Sequence, residues 1–199
     1  MRGGRDLALG PRRGMIPAMR AALAIVLCLL TADLAAAGQD DKRLPALFER
    51  LKTTRSSGEA ETVQQTIWAI WLESANAEVN LLMLEGVDAM NQGDFKRSLE
   101  AYDAMVKVAP DFAEGWNKRA TVEFLAGDFT ASVADIQKTL TLEPRHWGAL
   151  SGLGQIYVAL NNDEAALRAF KQALEINPHL ASVKAKIQEI EAKFEKRKI

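Results

Sequence analysis

Three prolines recur at a fixed interval in the second half of the chain. Pro110, Pro144 and Pro178 are each separated by 34 residues. A constant period of this length indicates supersecondary units that stack in a row, because one such unit cannot bury its apolar face alone. The spacing therefore predicts a repeat array in which the segments 79–112, 113–146 and 147–180 are structurally equivalent.

Other positions repeat in the same register. Gly-Asp-Phe occurs at 93–95 and at 127–129, and the third segment has Asn-Asn-Asp at 161–163. The small and the large apolar residues that recur are Ser98, Ser132 and Ala166, and Tyr102, Ile136 and Phe170. Glycine permits the left-handed turn that ends a helix, aspartate suits the start of the next helix, and proline stops a helix. Each segment is therefore expected to form two helices.

The third segment carries the pattern most fully. Leu150-x-x-Leu153-Gly154-x-x-Tyr157 is followed by Ala166-x-x-x-Phe170-x-x-Ala173 and then by Pro178. In these residues, and over 79–180 as a whole, the chain resembles the tetratricopeptide repeat (TPR) family. The resemblance implies an all-α fold, a right-handed superhelical solenoid of antiparallel helix pairs with a C-terminal capping helix.

The segments on either side of the repeats are expected to cap the array. We interpret residues 38–78 as a degenerate N-terminal helix pair, with Trp68 and Trp71 expected to pack against the first repeat. The helix predicted over 181–199 has an apolar stripe made of Val183, Ile187, Ile190 and Phe194. Its remaining face is charged, which is typical of the terminal cap that an open array needs.

The first 37 residues have the pattern of a secretory signal peptide. Five arginines precede a short apolar run over 21–30, and an Ala-x-Ala site follows, with cleavage expected after Ala37. The expected location is the bacterial periplasm, with no membrane span after cleavage. An uncleaved membrane anchor is the alternative, although about ten apolar residues are short for a hydrocarbon layer of ~30 Å. The true start codon is left open among Met1, Met15 and Met19.

Charge balance and missing motifs argue against several classes of function. The chain has 25 basic and 26 acidic residues and a formal net charge of −1, so binding of nucleic acid by bulk charge is not expected. One cysteine and two histidines leave no cysteine-rich zinc site. No Walker loop, His-Glu-x-x-His motif or Gly-x-Ser-x-Gly motif is present. We therefore expect a non-enzymatic protein without a cofactor or metal.

A polar cluster interrupts the pattern in the second repeat. Arg119 and Glu123 stand where the resemblance implies a core leucine and an aromatic residue, and a spacing of four places them on one helix face. Asp135, Arg145 and His146 belong to the same repeat. Two interpretations stay open. The cluster is an internal ion-pair network that satisfies a buried arginine, or it is a recognition, acid–base or metal site.

The resemblance also implies where a protein partner would bind. In TPR proteins the first helix of each repeat lines a concave groove. The corresponding residues are Met83, Val87, Met90 and Asn91 in the first repeat, Asn117, Thr121, Phe124 and Leu125 in the second, and Ser151, Gln155 and Val158 in the third. This mainly apolar set suits an apolar helix or an extended segment of a partner. It predicts an interaction scaffold or adaptor of the bacterial envelope. Self-association, and coverage of the groove by residues 38–78, are the alternatives.

Overall fold

The computed structural model describes residues 38–197. The predicted signal peptide, residues 1–37, lies outside the described residues. A short 3-10 turn, Gly38–Asp40, precedes the α-helices. The described helices include none that combines the length and the apolar composition needed to cross a membrane.

Nine α-helices follow in the described part of the chain. They are α1 (Leu44–Thr53), α2 (Ser57–Leu72), α3 (Ala77–Asn91), α4 (Phe95–Val108), α5 (Ala113–Ala126), α6 (Phe129–Leu142), α7 (Trp147–Ala159), α8 (Asp163–Ile176) and α9 (Ala181–Arg197). The three repeats are the pairs α3–α4, α5–α6 and α7–α8. The helices α1 and α2 precede the repeats, and α9 follows them.

The turn between the two helices has the same geometry in all three repeats. The side chains that cap the second helix, by accepting a hydrogen bond from the backbone N–H three residues later, are Asp94, Asp128 and Asn162. The residue before each cap is left-handed, with φ of 77° at Gly93, 84° at Gly127 and 56° at Asn161. Asparagine tolerates this conformation better than most residues that carry a Cβ. The third repeat therefore keeps the turn without a glycine.

The two helices of a repeat approach closely where a small residue faces a large one. A Cβ at Gly86 would lie 2.4 Å from the ring of Tyr102, and a Cβ at Gly154 would lie 2.4 Å from the ring of Phe170. The Ser98 hydroxyl also donates a hydrogen bond of 2.8 Å to the carbonyl of Gly86. Tyr102 and Phe170 are fully buried, as the sequence pattern predicts.

At the C-terminal end, α9 stacks on the last repeat. Val183, Ile187 and Ile190 are buried against Ala166 and Phe170. These three residues belong to the apolar stripe that the sequence pattern indicates. The stripe covers an apolar face of the third repeat that would otherwise contact water.

The N-terminal pair, α1 and α2, shares its core with the third repeat. The buried members are Leu44, Phe48, Leu51, Ala60, Val63, Ile67, Ile70 and Trp71 from the pair, and Trp147, Leu150 and Ala173 from the repeat. The Asn177 amide donates to Gln64 at 3.1 Å, and the Gln39 amide donates to the carbonyl of Asp111 at 2.6 Å. The N-terminal segment therefore lies across the loops that join successive repeats.

The expectation that Trp68 and Trp71 pack against the first repeat is wrong. Trp71 stacks on the imidazole of His146 with ring centroids 4.3 Å apart, and Trp68 meets Trp147 edge-on at 5.9 Å. Two periods earlier in the sequence, the residues that correspond to His146 and Trp147 are Glu78 and Val79, which offer no ring. The helix α2 instead docks on the rings of His146 and Trp147.

Candidate functional site

A cavity opens between the first helices of the second and third repeats. Its volume is about 140 Å³. Its lining includes Asn117, Thr121 and Phe124 from α5, Ile136 from α6, and Gly148, Gly152 and Gln155 from α7. We call this cavity the α5–α7 groove. It combines apolar surface with neutral amide and hydroxyl groups, so it can hold an apolar side chain and hydrogen-bond the peptide groups beside it.

The structure brings only part of the predicted groove together. The predicted residues that line the α5–α7 groove are Asn117, Thr121, Phe124 and Gln155. Ser151 lines a neighbouring cavity under α2, and Val158 packs against the core beneath α9. Asn91 and Leu125 are exposed near the C-terminal ends of α3 and α5. The predicted set is therefore spread over several surfaces, with its centre between α5 and α7.

The prediction that Met83 faces the groove is wrong. Met83 is only 8% exposed and belongs to a core cluster with Tyr102, and Val87 and Met90 pack against the same cluster. The long, flexible thioether fills the space between α3 and α4. The large apolar side chains of α3 that are exposed are Leu81 and Leu84, each 68% exposed. The groove positions carried over from the resemblance included neither, so sequence reasoning missed them.

Hydrogen bonds fix three of the four polar side chains of the α5–α7 groove, among them Ser132, whose hydroxyl donates to the carbonyl of Ala120 at 2.7 Å. The Asn117 amide donates to the buried carboxylate of Glu114 at 3.1 Å, and the Thr121 hydroxyl donates to the carbonyl of Asn117 at 2.9 Å. Within residues 38–197, no hydrogen bond engages the exposed amide of Gln155. Gln155 can therefore both donate to and accept from a bound peptide group.

Arg119 is held by carboxylates from three helices. Its guanidinium donates to both oxygens of Asp135, at 2.6 and 2.8 Å, and to Asp103 at 2.7 Å, and it lies 3.8 Å from Glu123. The ring of Trp116 lies 4.8 Å from the guanidinium. Asp103 belongs to the preceding repeat, so no spacing within the second repeat indicates it. Arg119 therefore connects α4, α5 and α6.

Glu123 completes this network with an altered protonation equilibrium. Burial, followed by the neighbouring Asp135 carboxylate, raises the pKa of Glu123 to about 7, against the opposing effect of Arg119. The hydrogen bonds to Asp135 raise the pKa of Arg119, so the guanidinium stays charged. One cation faces three carboxyl groups here, and the raised pKa of Glu123 favours its protonated form up to neutral pH.

His146 belongs to a different, buried network. Its Nδ1 accepts a hydrogen bond from the backbone N–H of Ala149 at 3.0 Å, which assigns the proton of the neutral ring to Nε2. Nε2 then donates to Glu114 at 2.8 Å. His146 and Glu114 are both almost completely buried, beneath the ring of Trp71. This pair fixes the loop on which α2 docks.

Arg145 belongs to a third network. It forms a two-fold hydrogen-bonded pair with Glu143, at 2.8 and 2.7 Å, and its guanidinium lies 4.3 Å from the centre of the Phe48 ring. The polar cluster that the sequence groups together is therefore three separate networks, each paired within the protein. Across the described range 38–197, no three His, Cys, Asp or Glu side chains come together in a way that could hold a metal ion.

Comparison with known proteins places this geometry in context. Models of the tetratricopeptide repeat match residues 83–141 and 148–180. A TPR repeat-containing protein of Rhizobium etli is 36% identical over 143 residues, which is 72% of this chain and 70% of that protein. Among solved structures, the Sgt2 TPR domain of Aspergillus fumigatus has 20% identity and a TM-score of 0.58, covering 62% of this chain and 83% of that one. The first TPR domain of Spaghetti (RPAP3), bound to an HSP90 peptide, has 20% identity and a TM-score of 0.56, covering 59% and 93%.

The matches agree with the helix pairs of the structure. The three pairs between Ala77 and Ile176 contain the match over 83–141 and all of the match over 148–180 except its last four residues, which lie in the loop before α9. The all-α solenoid expected from the sequence is confirmed by the helices and by the structural neighbours. The Rhizobium relative extends the likeness from fold to sequence over about two thirds of each chain. The chain belongs to the tetratricopeptide repeat family.

Proposed function

We propose that this protein is a non-enzymatic interaction scaffold that binds a segment of a partner protein in the α5–α7 groove. The family supports a role in protein interaction, and the Spaghetti domain is a structural neighbour with a bound peptide. The observation that carries the proposal for this chain is the groove itself. Phe124 and Gly152 offer apolar surface there, next to the unpaired amide of Gln155.

The polar networks favour a scaffold over an enzyme. The guanidinium groups of Arg119 and Arg145 and Nε2 of His146 donate hydrogen bonds to carboxylates of the same chain. A catalytic site needs convergent groups that are open to a substrate in a cleft. Glu114 and Glu143, which pair with His146 and Arg145, are each 1% exposed. In this proposal the three residues and their carboxylate partners stabilise the packing of helices and the loops between them.

The proposed setting is the bacterial envelope, after export and cleavage behind Ala37. The support is the basic, apolar and small-residue pattern of residues 1–37. Mass spectrometry of the protein purified from its native host tests this part of the proposal. A chain that begins at Gly38 or close to it supports export, and an intact N-terminus in a cytoplasmic pool refutes it.

The groove is tested by placing a charge in it. Phe124→Glu is compared with Leu160→Glu, which changes a leucine that is 53% exposed outside the groove. Both proteins and the wild type are used for crosslinked capture from envelope extracts, and the captured partner is then measured in purified form. Phe124→Glu should weaken binding by about 1–2 kcal/mol, roughly tenfold, because it buries a charge against the partner. Equal binding by all three proteins refutes the groove as the site.

A further inference from the structure

A second cavity lies beside the α5–α7 groove, under α2. Its volume is about 410 Å³. Its lining includes Trp68 from α2, Ser151 and Gln155 from α7, and Leu180, Val183 and Lys186 around the start of α9. We call this cavity the Trp68 pocket. It exists because α2, which belongs to no repeat, lies over the third repeat.

The Trp68 ring forms one wall of this pocket, and it packs directly against Gly148. A Cβ at position 148 would lie 2.7 Å from the Trp68 ring, so only glycine lets the ring come so close. Trp68 also meets Trp71 edge-on at 5.3 Å and Trp147 at 5.9 Å. One part of the ring stays exposed. Because these contacts fix the ring before any ligand arrives, binding costs little ordering of the wall.

The chemistry of the pocket matches an aromatic side chain. Its volume falls in the range of about 300–1,000 Å³ that is usual for ligand sites. Trp68, Leu180 and Val183 give it apolar walls, and a second aromatic ring packs well against the edge or face of an indole. Single apolar side chains from a bound segment can therefore enter it.

A positive charge at the Trp68 pocket indicates what kind of group could lie beside the aromatic side chain of a ligand. Lys186 is a cation on the lining of the pocket; its ammonium contacts Glu189 at 2.8 Å, and its side chain is 51% exposed. An acidic group of a ligand can approach this ammonium from solvent. Gln155 lines both the Trp68 pocket and the α5–α7 groove, so a single extended segment can occupy the two cavities together.

From these observations we infer that the Trp68 pocket is a specificity site for an aromatic side chain with an acidic residue beside it, carried by an extended peptide that also enters the α5–α7 groove. This inference rests on the proposed function, because it assigns a preference to the same partner segment. The repeats provide the groove, and the N-terminal pair provides the additional selectivity.

The probe for the test is a peptide selected from a phage-displayed library of random 12-residue sequences on the wild-type protein, then synthesised with a fluorescent label. Fluorescence anisotropy measures its affinity for the wild type and for four variants. Ser182→Trp fills the Trp68 pocket from its rim, and Gln188→Trp adds the same ring to an exposed position of α9. Lys186→Gln removes the charge, and Gly152→Leu fills the α5–α7 groove. Circular dichroism verifies that each variant is folded.

Selected peptides should share an aromatic position with a neighbouring acid. Their affinity should fall at least tenfold with Ser182→Trp, about threefold with Lys186→Gln, and less than twofold with Gln188→Trp. Peptides that bind more weakly to Gly152→Leu but equally well to Ser182→Trp overturn the specificity site and leave the groove intact. Peptides insensitive to both variants, or a library that yields no binder, overturn the proposed function and this inference with it.

Discussion

At the C-terminal end of the array α9 continues the spacing of the repeats, whereas at the N-terminal end α1 and α2 depart from it. The residues of α9 that correspond to Ala149 and Ile156 of α7 are Val183 and Ile190, and all four are buried. The helix α2 instead packs its rings on His146 and Trp147, in the loop between the second and third repeats and at the start of α7. The helix α9 therefore covers the last repeat by continuing the repeat pattern. The helices α1 and α2 instead pack on the loops between repeats.

This difference predicts different consequences of damage at the two ends. Loss of a contact in α9 should loosen mainly the last repeat, since a solenoid unit depends on its neighbours. Loss of a contact in α2 should affect the whole chain, because the N-terminal segment contacts residues 111–113, 146–150 and 173–180. The predictions below measure that contrast.

The largest effect is expected from Trp71→Ala. Trp71 is 1% exposed and contacts Phe48, His146 and Trp147. Its truncation should lower the free energy of unfolding by about 3–5 kcal/mol, because it leaves a large cavity in the shared core. Urea denaturation followed by circular dichroism should show one transition at a lower midpoint. Leu72→Ala, at the neighbouring and 37% exposed position, should change the midpoint little. Two separated transitions in Trp71→Ala would contradict the shared core.

Ile190→Ala should cost less, about 2–4 kcal/mol, because it removes a smaller buried side chain. Ile190 is 1% exposed and lies in the cluster with Phe170. Hydrogen exchange followed by mass spectrometry should show faster exchange in α9 and α8, with α2 unchanged. The exposed Gln188 serves as the control, since Gln188→Ala should leave exchange unaltered. Faster exchange in α2 as well would remove the proposed difference between the two ends.

The contrast also shows what the sequence could predict. The helices of the repeats and the stripe of α9 follow from local spacing, so the period of 34 residues indicates them directly. Asp135 could be proposed as a partner of Arg119 because both lie in one repeat. Asp103 could not, because its contact crosses from one repeat to the next.

The docking of α2 could not be predicted from the sequence either, because its contacts also join residues that are far apart in the chain. Trp68 meets Gly148 about eighty residues away, and no periodicity links the two positions. The groove was only partly predictable, because Met83 turns toward the core while Leu84 stays exposed. Helical spacing defines a face to within about one residue, and the neighbouring elements decide which side chain is buried.

Gly148→Ala tests the N-terminal docking with the least change in chemistry. The new methyl group would lie 2.7 Å from the Trp68 ring, so α2 must shift, at a cost of about 1–3 kcal/mol. Gly152→Ala is the matched control one turn further along α7, where the nearest atom is 3.7 Å away. That change should stabilise the protein by about 0.5–1 kcal/mol through helix propensity. Thermal melts that rank the two variants in the opposite order would show that Trp68 does not depend on Gly148.

The smallest effect concerns Glu123, which lies in the second repeat, between the two ends. Its pKa is raised to about 7 in the folded protein, chiefly by burial, from an ordinary value of 4.5. The folded state therefore binds more protons than the unfolded state between these values, and the protein loses stability as the pH rises through this window. The loss should be about 1 kcal/mol between about pH 6 and about pH 7.5. Glu123→Gln should remove this slope, because the amide that replaces the carboxyl group does not titrate in this range. The same slope should persist in Ile190→Ala and Trp71→Ala if the middle repeat titrates independently of both ends. A slope that disappears with either end variant would instead mean that the end contacts control the burial of Glu123.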